Sequence, residues 1–400
     1  MQLVERHVID LHDARWAAID RASWLSKNLY NAANYLVRQS FIFRQQCLSY
    51  EHLNKVMKRD PDYCALPRKV SQWVLKQVAH NWQSFLAALQ AWIDQPEKFN
   101  GRPKMPGYKH KTRGRNLLTY TIQVISKRVF NKTGQLQPSQ LGILIETQQE
   151  TFDQVRILPR KTHYVVEVVY TVEVDPPDLN RDRVASIDIG LDNLAAVTFN
   201  QPGFAPLLVN GRPLKAINQY YNKERARLQQ ALPDRQHTSW RLETLTDKRN
   251  RRIEAYLHQV SRRLINGLVF YNIGTLVIGK NDGGKQNIPL GKRTNQNFVQ
   301  IPHARFIEML TYKAQLAGIQ VILVEESYTS KCSFLDDEPI GKHKVYAGRR
   351  IQRGLFRASD GRVINADVNA SYNIMRKAIP NALRDGIEAV VVQPVRVTPA

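Results

Sequence analysis

From residue 182 the chain runs strand, strand, strand, long helices, strand, helix, strand, insert, helix, an order that leaves few folds open. The strands are apolar runs bounded by turn residues, at Val184–Ile189, Leu194–Phe199, Leu207–Val209, Thr275–Ile278 and Ile319–Val324. An antiparallel three-stranded meander followed by two strands with intervening helices is the RNase H-like plan, in which the last two strands run parallel to the first; the long crossovers that parallel strands need are present. Their C-terminal ends then share one rim of the sheet, where α/β sites usually lie. Acids stand at these ends. Val184–Ile187 delivers Asp188 just before Gly190, Ile319–Val324 runs into Glu325 and Glu326, and Asp367 opens a segment of helical spacing. Carboxylates far apart in sequence but gathered at strand ends are the donors that divalent metals need for phosphoryl transfer. Against this, most acids are solvated or cap helices, and Asp367 stands where an N-cap would. Side chains alternate along a strand, so Glu325 and Glu326 face opposite ways and only one should serve.

Charge narrows the partner. A net charge of +23 and a pI near 10.0 call for a polyanion. An anionic membrane is the other candidate. However, no apolar run approaches the roughly 18 residues of a spanning helix, and Met1-Gln-Leu-Val-Glu-Arg6 does not read as a signal peptide. Three cysteines, Cys47, Cys64 and Cys332, suggest no disulfide framework and fit a reducing compartment, so a cytoplasmic, nucleoid-associated protein is expected.

The front half divides by periodicity. Residues 1–10 read as a strand and 11–95 as helices, with breaks at Pro61 and Pro67. Residues 96–178 turn to strands at 117–124, 142–146 and 164–172, ending at Pro176-Pro177. The expectation is a β-barrel-like domain of 1–10 and 96–178 with a helical domain, 11–95, inserted.

Five segments carry a resemblance. They are Gly101-Arg-Pro-Lys-Met-Pro-Gly-Tyr-Lys109, Ile187-Asp-Ile-Gly-Leu191, Ile301-Pro-His-Ala-Arg-Phe306 with Leu310-Thr-Tyr-Lys-Ala314, Thr329-Ser-Lys331, and Asn365-Ala-Asp-Val-Asn-Ala-Ser-Tyr-Asn-Ile374. In order and kind, the chain resembles the TnpB-type RNA-guided nucleases of bacterial insertion sequences, relatives of type V CRISPR effectors and Fanzor proteins. The resemblance implies an α/β fold with an RNase H-like (RuvC) nuclease domain at 182–326 and 362–382, preceded by a β-barrel wedge domain with an inserted helical bundle. It also implies a nucleic-acid-binding insert at 327–361 and a tail at 383–400. A guide RNA from the element's end and a target DNA would be the partners, and two magnesium ions, held by Asp188, Glu326 and Asp367, would open a phosphodiester. A nuclease-inactive RNA-guided repressor and a strand-transferring transposase are the competing readings.

Two departures from the family pattern matter. Its middle glutamate stands at the end of the fourth strand, where this chain has Gly279. Either the site is dead or another acid serves. Adjacent strands lie roughly 4.8 Å apart, so Glu326 could reach the same rim. Fanzor proteins and some relatives show a glutamate relocated to just before Thr-Ser-Lys, and the spacing to Thr329-Ser-Lys331 favours Glu326; Asp282 is a weaker substitute. The second departure is zinc. Many relatives carry two CxxC pairs in the insert, whereas only Cys332 stands here, short of the four ligands of a structural site. No zinc is expected.

Basic segments mark the expected nucleic-acid path, although like-charge runs are often only solvated faces. One contains Arg102, Lys104, Lys109, Arg113 and Arg115, without an acid; another contains Arg249 and Arg252. Lys285, in a polar loop with Lys292 and Arg293, and Lys331, Arg349 and Arg350 of the insert complete the set.

Overall fold

Strand β1 (Gln2–Ile9) alternates exposed and half-buried residues and pairs antiparallel along its length with β6 (Tyr164–Thr171), so the first residues complete a sheet begun far downstream. In this computed structural model residues 1–281, 300–383 and 393–398 are described. Asp282, Lys285, Lys292 and Arg293 therefore lie outside the described residues, as does most of the 383–400 tail. The chain divides into two compact units, Met1–Glu173 and Val174–Ala400. None of the described helices is long and apolar enough to cross a membrane.

In the first unit, α1 (Trp16–Arg44), α2 (Tyr50–Met57), α3 (Pro61–Cys64) and α4 (Arg68–Asp94) separate β1 from β2 (Leu118–Thr121). With β5 (Gln154–Pro159) the strands form an antiparallel sheet in the order β1-β6-β5-β2. Short α5 (Lys127–Thr133) precedes a two-stranded pair, β3 (Gln135–Leu136) and β4 (Ile145–Glu146). No closed barrel is seen among the described residues, which corrects the barrel expectation. The sheet is open with β1 and β2 at its edges, and Ile9, Leu118, Tyr120 and Val166 share one buried cluster with Leu29, Val74 and Trp82 of the helices.

The second unit is built on a six-stranded sheet, β11-β10-β7-β8-β9-β15. Its members are β7 (Asn180–Ile189), β8 (Asn193–Phe199), β9 (Leu207–Asn210), β10 (Ile273–Lys280), β11 (Gln320–Glu325) and β15 (Val395–Val397). The β7-β8-β9 meander is antiparallel, β10 lies parallel to β7 and β11 parallel to β10, the plan expected from the order of segments. Helices α6 (Arg212–Gln230) and α7 (Trp240–Phe270) follow β9; α8 (His303–Leu316) joins β10 to β11.

Side-chain alternation divides the sheet's burial. Ala185, Ile187, Leu276 and Ile278 pack with Leu257, Val260, Phe306 and Leu310 of α7 and α8. Val184 and Val277 point the other way, towards Ile374 and Met375 of α9 (Ala366–Ala378), with Ile322 and Val324 packed beside them. The insert carries a small antiparallel sheet of β12 (Arg349–Gln352), β13 (Leu355–Arg357) and β14 (Val363–Asn365), with β14 running directly into α9.

Candidate active site

Alternation also decides which rim residues meet. On β7, Val184, Ser186 and Asp188 share the face that α9 covers. On β10 it is Val277 and Gly279, and on β11 it is Ile322 and Val324, with Glu326 next in phase. Buried hydroxyls lock the helix there. Ser186 Oγ donates to the Ser371 carbonyl at 2.7 Å, Ser371 Oγ donates to the Ser186 carbonyl at 3.1 Å, and the Thr198 and Ser371 hydroxyls lie 3.0 Å apart. From that contact Asp188 stands two residues up the strand, roughly 6.7 Å. Asp367 stands four residues back along α9, roughly 6 Å. Since β7 ends and α9 begins at the rim, both acids are carried to it.

Asn365, not Asp367, caps α9. Its side chain accepts from the backbone N–H of Asp367 at 3.0 Å and of Val368 at 3.2 Å. The Asp367 carboxylate is thereby released to accept from Asn193 Nδ2 at 2.8 Å and to face Arg350 at 3.6 Å. Asn193 is buried and is held at the start of β8 by the turn after Asp188. A Cβ on Gly190 would lie 2.7 Å from the Asn193 carbonyl, so this tight turn needs glycine.

Glu326 lies over Gly279. A Cβ at 279 would fall 3.1 Å from Glu326 Oε2, so the carboxylate occupies the space above the strand end that lacks an acid. Thr329 fixes the turn beyond it, its N–H and hydroxyl both reaching the Glu326 carbonyl, at 3.3 and 2.8 Å. Within that turn Tyr328 adopts φ 65°, a left-handed conformation uncommon for a non-glycine residue. Glu325, by contrast, is exposed and bound to the Ser327 N–H at 3.1 Å and to Lys377 Nζ at 3.2 Å.

The charges interact. Burial, with the Asp367 and Glu326 carboxylates added, pushes the half-buried Asp188 carboxyl well above the usual carboxylate range; Arg350 opposes the shift. Burial also raises Glu326, partly offset by a hydrogen bond from the Asn281 side chain. Ser327 and Lys377 hold Glu325 low. The donor set, three carboxylates, suits a hard divalent cation. Among the described residues, however, no three acids, histidines or cysteines stand close enough to share one ion as placed. Metal binding therefore requires the side chains to draw together.

The insert is tethered to α9 through amides one turn apart. Asn369 and Asn373 donate to the Cys332 carbonyl at 2.9 and 2.8 Å, Asn373 also to the Thr329 carbonyl at 2.9 Å, and Asn369 Oδ1 accepts from Phe334 N at 2.9 Å. Phe334 stacks on Tyr372 with ring centroids 4.5 Å apart. Cys332 is fully buried, with Sγ 3.6 Å from the Gly341 carbonyl.

The basic candidates separate by their contacts. Arg102, Lys104, Arg113, Arg252, Lys331, Arg349 and Arg350 are exposed. Arg115 is engaged by Asp20 in a two-pronged pair at 2.7 and 2.6 Å, and Lys109 folds over the Tyr30 ring at 4.9 Å. Their backbone is strapped to α1, where Asn31 bonds both N and O of Lys109 at 2.9 Å and Arg38 reaches Pro106 O at 2.9 Å. Arg249 is committed to Asn218 at 2.8 Å and to the Gln300 carbonyl at 2.6 Å.

Comparison with known proteins agrees with the ordering of these segments. Residues 167–283 match the OrfB_IS605 family, described as a probable transposase, and residues 303–374 match the Cas12f1-like TNB domain. A TnpB-like protein of Acidianus two-tailed virus is 25% identical over 401 residues, covering 90% of this chain and 83% of its own. The CRISPR-associated endodeoxyribonuclease Cas12f2 of a Micrarchaeota archaeon is 25% identical over 236 residues, or 55% of this chain and 41% of the relative. A solved Cas12f1–sgRNA–target DNA complex aligns with 94% of this chain and 100% of the Cas12f1 chain at 12% identity, with a TM-score of only 0.40. In sequence the chain is similar to TnpB-like proteins and, over about half its length, to type V CRISPR effectors.

Proposed function

We propose that this protein is an RNA-guided DNA endonuclease whose RuvC-like site, Asp188, Glu326 and Asp367, opens a phosphodiester with divalent magnesium. The observation that carries the reading is Glu326 lying over Gly279, on the sheet face in phase with Asp188 and covered by α9, whose first turn carries Asp367. A relocated acid fills the gap, which favours an active nuclease over the repressor reading. Further support comes from the +23 charge and from a relative named as an endodeoxyribonuclease.

Asp188, Glu326 and Asp367 would hold the metal, with Asn193 orienting the Asp367 carboxylate and Asn281 the Glu326 carboxylate. Bound magnesium supplies activation of water and stabilisation of the leaving 3′ oxygen. Burial and, after it, the Asp367 and Glu326 carboxylates raise Asp188, and a bound cation would offset both by favouring the charged form. Guide pairing would read the target sequence, while the protein reads backbone shape and a short flanking motif.

The test supplies the full chain with RNA from the element's end, magnesium and a plasmid library with randomised sequence beside the target, then sequences the ends. Cuts beside one enriched flank are expected. Guided binding without cuts would mean a repressor, and joined ends a transposase.

A further inference from the structure

Helices α6 and α7 form a hairpin tied at one end, where Arg249 Nε donates to Asn218 Oδ1 at 2.8 Å and the Tyr221 and Thr246 hydroxyls meet at 3.2 Å. Between the helices lies a cleft of about 640 Å³, a size ordinary for small-ligand sites. Two stripes of helical spacing face it, Ile217, Tyr220 and Leu228 from α6 and Trp240, Thr244 and Lys248 from α7. Such stripes usually pack on each other and close. Here they do not, since Tyr220 is 58% and Trp240 53% exposed. Within the cleft the Thr244 hydroxyl, shut off from solvent, has no hydrogen-bond partner among the described residues. The lining contains five cationic side chains and no acid. Of these, Arg241, Lys248 and Arg252 form no ion pair among the described residues and are exposed, whereas Arg249 is spent on the fold and Arg227 pairs with Glu224.

Exposed aromatic faces beside unpaired cations suit one ligand chemistry, a nucleotide of single-stranded nucleic acid. A base stacks on the ring while its phosphates meet the cations. We propose that the α6–α7 cleft binds single-stranded nucleic acid by stacking an unpaired base on Trp240 and Tyr220 and holding the adjoining phosphates with Arg241, Lys248 and Arg252. Trp240 suits the role because it is the first residue of α7, set by the Ser239 cap, whose side chain accepts from Leu242 N at 3.3 Å. The inference rests on the reading of the chain as a nucleic-acid enzyme, and adds a site apart from the three acids.

The experiment uses the full chain with labelled oligo(U), oligo(dT) and a duplex of equal length. Base–aromatic stacking predicts that Trp240→Ala weakens single-strand binding by roughly tenfold, leaves the duplex unchanged, and is largely rescued by Trp240→Phe. Replacing Arg241, Lys248 and Arg252 with alanine should lower the log–log salt slope by about 0.7 for each lost contact. The two oligonucleotides distinguish an RNA from a DNA occupant. Photocrosslinking of 4-thiouridine and 4-thiothymidine oligonucleotides to the unsubstituted protein needs no variant to fold, and should map to Trp240 or Tyr220. Crosslinks only elsewhere, or equal loss of single-strand and duplex binding in Trp240→Ala, would overturn the proposal. Guided cleavage run in parallel keeps the two ideas apart. A protein that never cuts but shows these crosslinks loses the endonuclease reading and keeps the cleft, whereas one that cuts without them loses the cleft alone.

Discussion

Adding one methyl group at Gly279 tests how Glu326 is seated. In Gly279→Ala the new Cβ would lie 2.6 Å from Ile374 Cδ1 and 3.1 Å from Glu326 Oε2, so something must shift. Ile374 is fully buried and has little room to yield. Overpacking of this kind costs about 1–3 kcal/mol, while a less flexible unfolded chain returns about 0.4–1 kcal/mol. A net loss of about 1–2 kcal/mol is expected. Ile374→Val removes the very atom that clashes, and alone should cost about 0.5–1.5 kcal/mol. Together the methyl group moves into the vacated space, so the double variant should be more stable than the sum predicts by about 1–2 kcal/mol. Urea denaturation of the metal-free chain measures the cycle, with the transitions of the two units resolved separately. Cleavage should stay depressed in the double variant, because Ile374→Val leaves the crowding of Glu326 Oε2 untouched. Additivity within about 0.5 kcal/mol, with normal cleavage, would refute the placement of Glu326 over Gly279.

Lys313 is almost fully buried, bound to Ser261 Oγ at 2.6 Å and the His258 carbonyl at 2.9 Å, and burial lowers its pKa to about 8. Its folded pKa lies below the unfolded value near 10.4, so the unfolded state binds more protons between them and this group's contribution rises with pH from about 8 to 10.4. Relative to Lys313→Met, the protein should gain on the order of 2–3 kcal/mol across that window; a flat difference in urea midpoints would contradict it. Asn365→Ala removes the α9 cap and should cost about 0.5–2 kcal/mol. It should also lower cleavage by loosening Asp367, and unchanged stability and cleavage would refute the capping role. Arg102→Ala with Lys104→Ala should reduce the log–log salt slope of RNA binding by up to about one unit each, and an unchanged slope would assign both to a solvated face.

The six-stranded sheet was readable because β7, β8, β10 and β11 are apolar runs whose ends are marked by polar residues. The parallel placement of β10 beside β7 and of β11 beside β10 fits the helical crossovers that precede each of them. β5 escaped notice because it is short, half-buried and mixed in character, and the insert's strands because they have only three or four residues, largely exposed. The barrel was over-read, since strand-forming segments do not reveal whether a sheet buries its face on itself or on helices. At the site, strand-end position pointed to Asp188 and spacing to Thr329-Ser-Lys331 pointed to Glu326, yet nothing local announced Asn193 as the partner of Asp367, 174 positions away. The same holds for Arg115, whose position in a basic run hid its pairing with Asp20 across 95 positions. Contacts between distant segments are set by the fold, and residue type alone does not encode them.

The most direct test of the central claim compares two neighbouring substitutions in the reconstituted cleavage reaction. Glu326→Gln keeps size and most hydrogen bonding but removes the charge that would hold the ion, whereas Glu325→Gln alters an exposed carboxylate already paired with Lys377. Cleavage should fall by orders of magnitude in the first and stay near the unsubstituted level in the second, with guide-RNA binding retained in both. Normal cutting by Glu326→Gln would contradict the account, and loss of cutting in Glu325→Gln alone would move the essential acid by one residue.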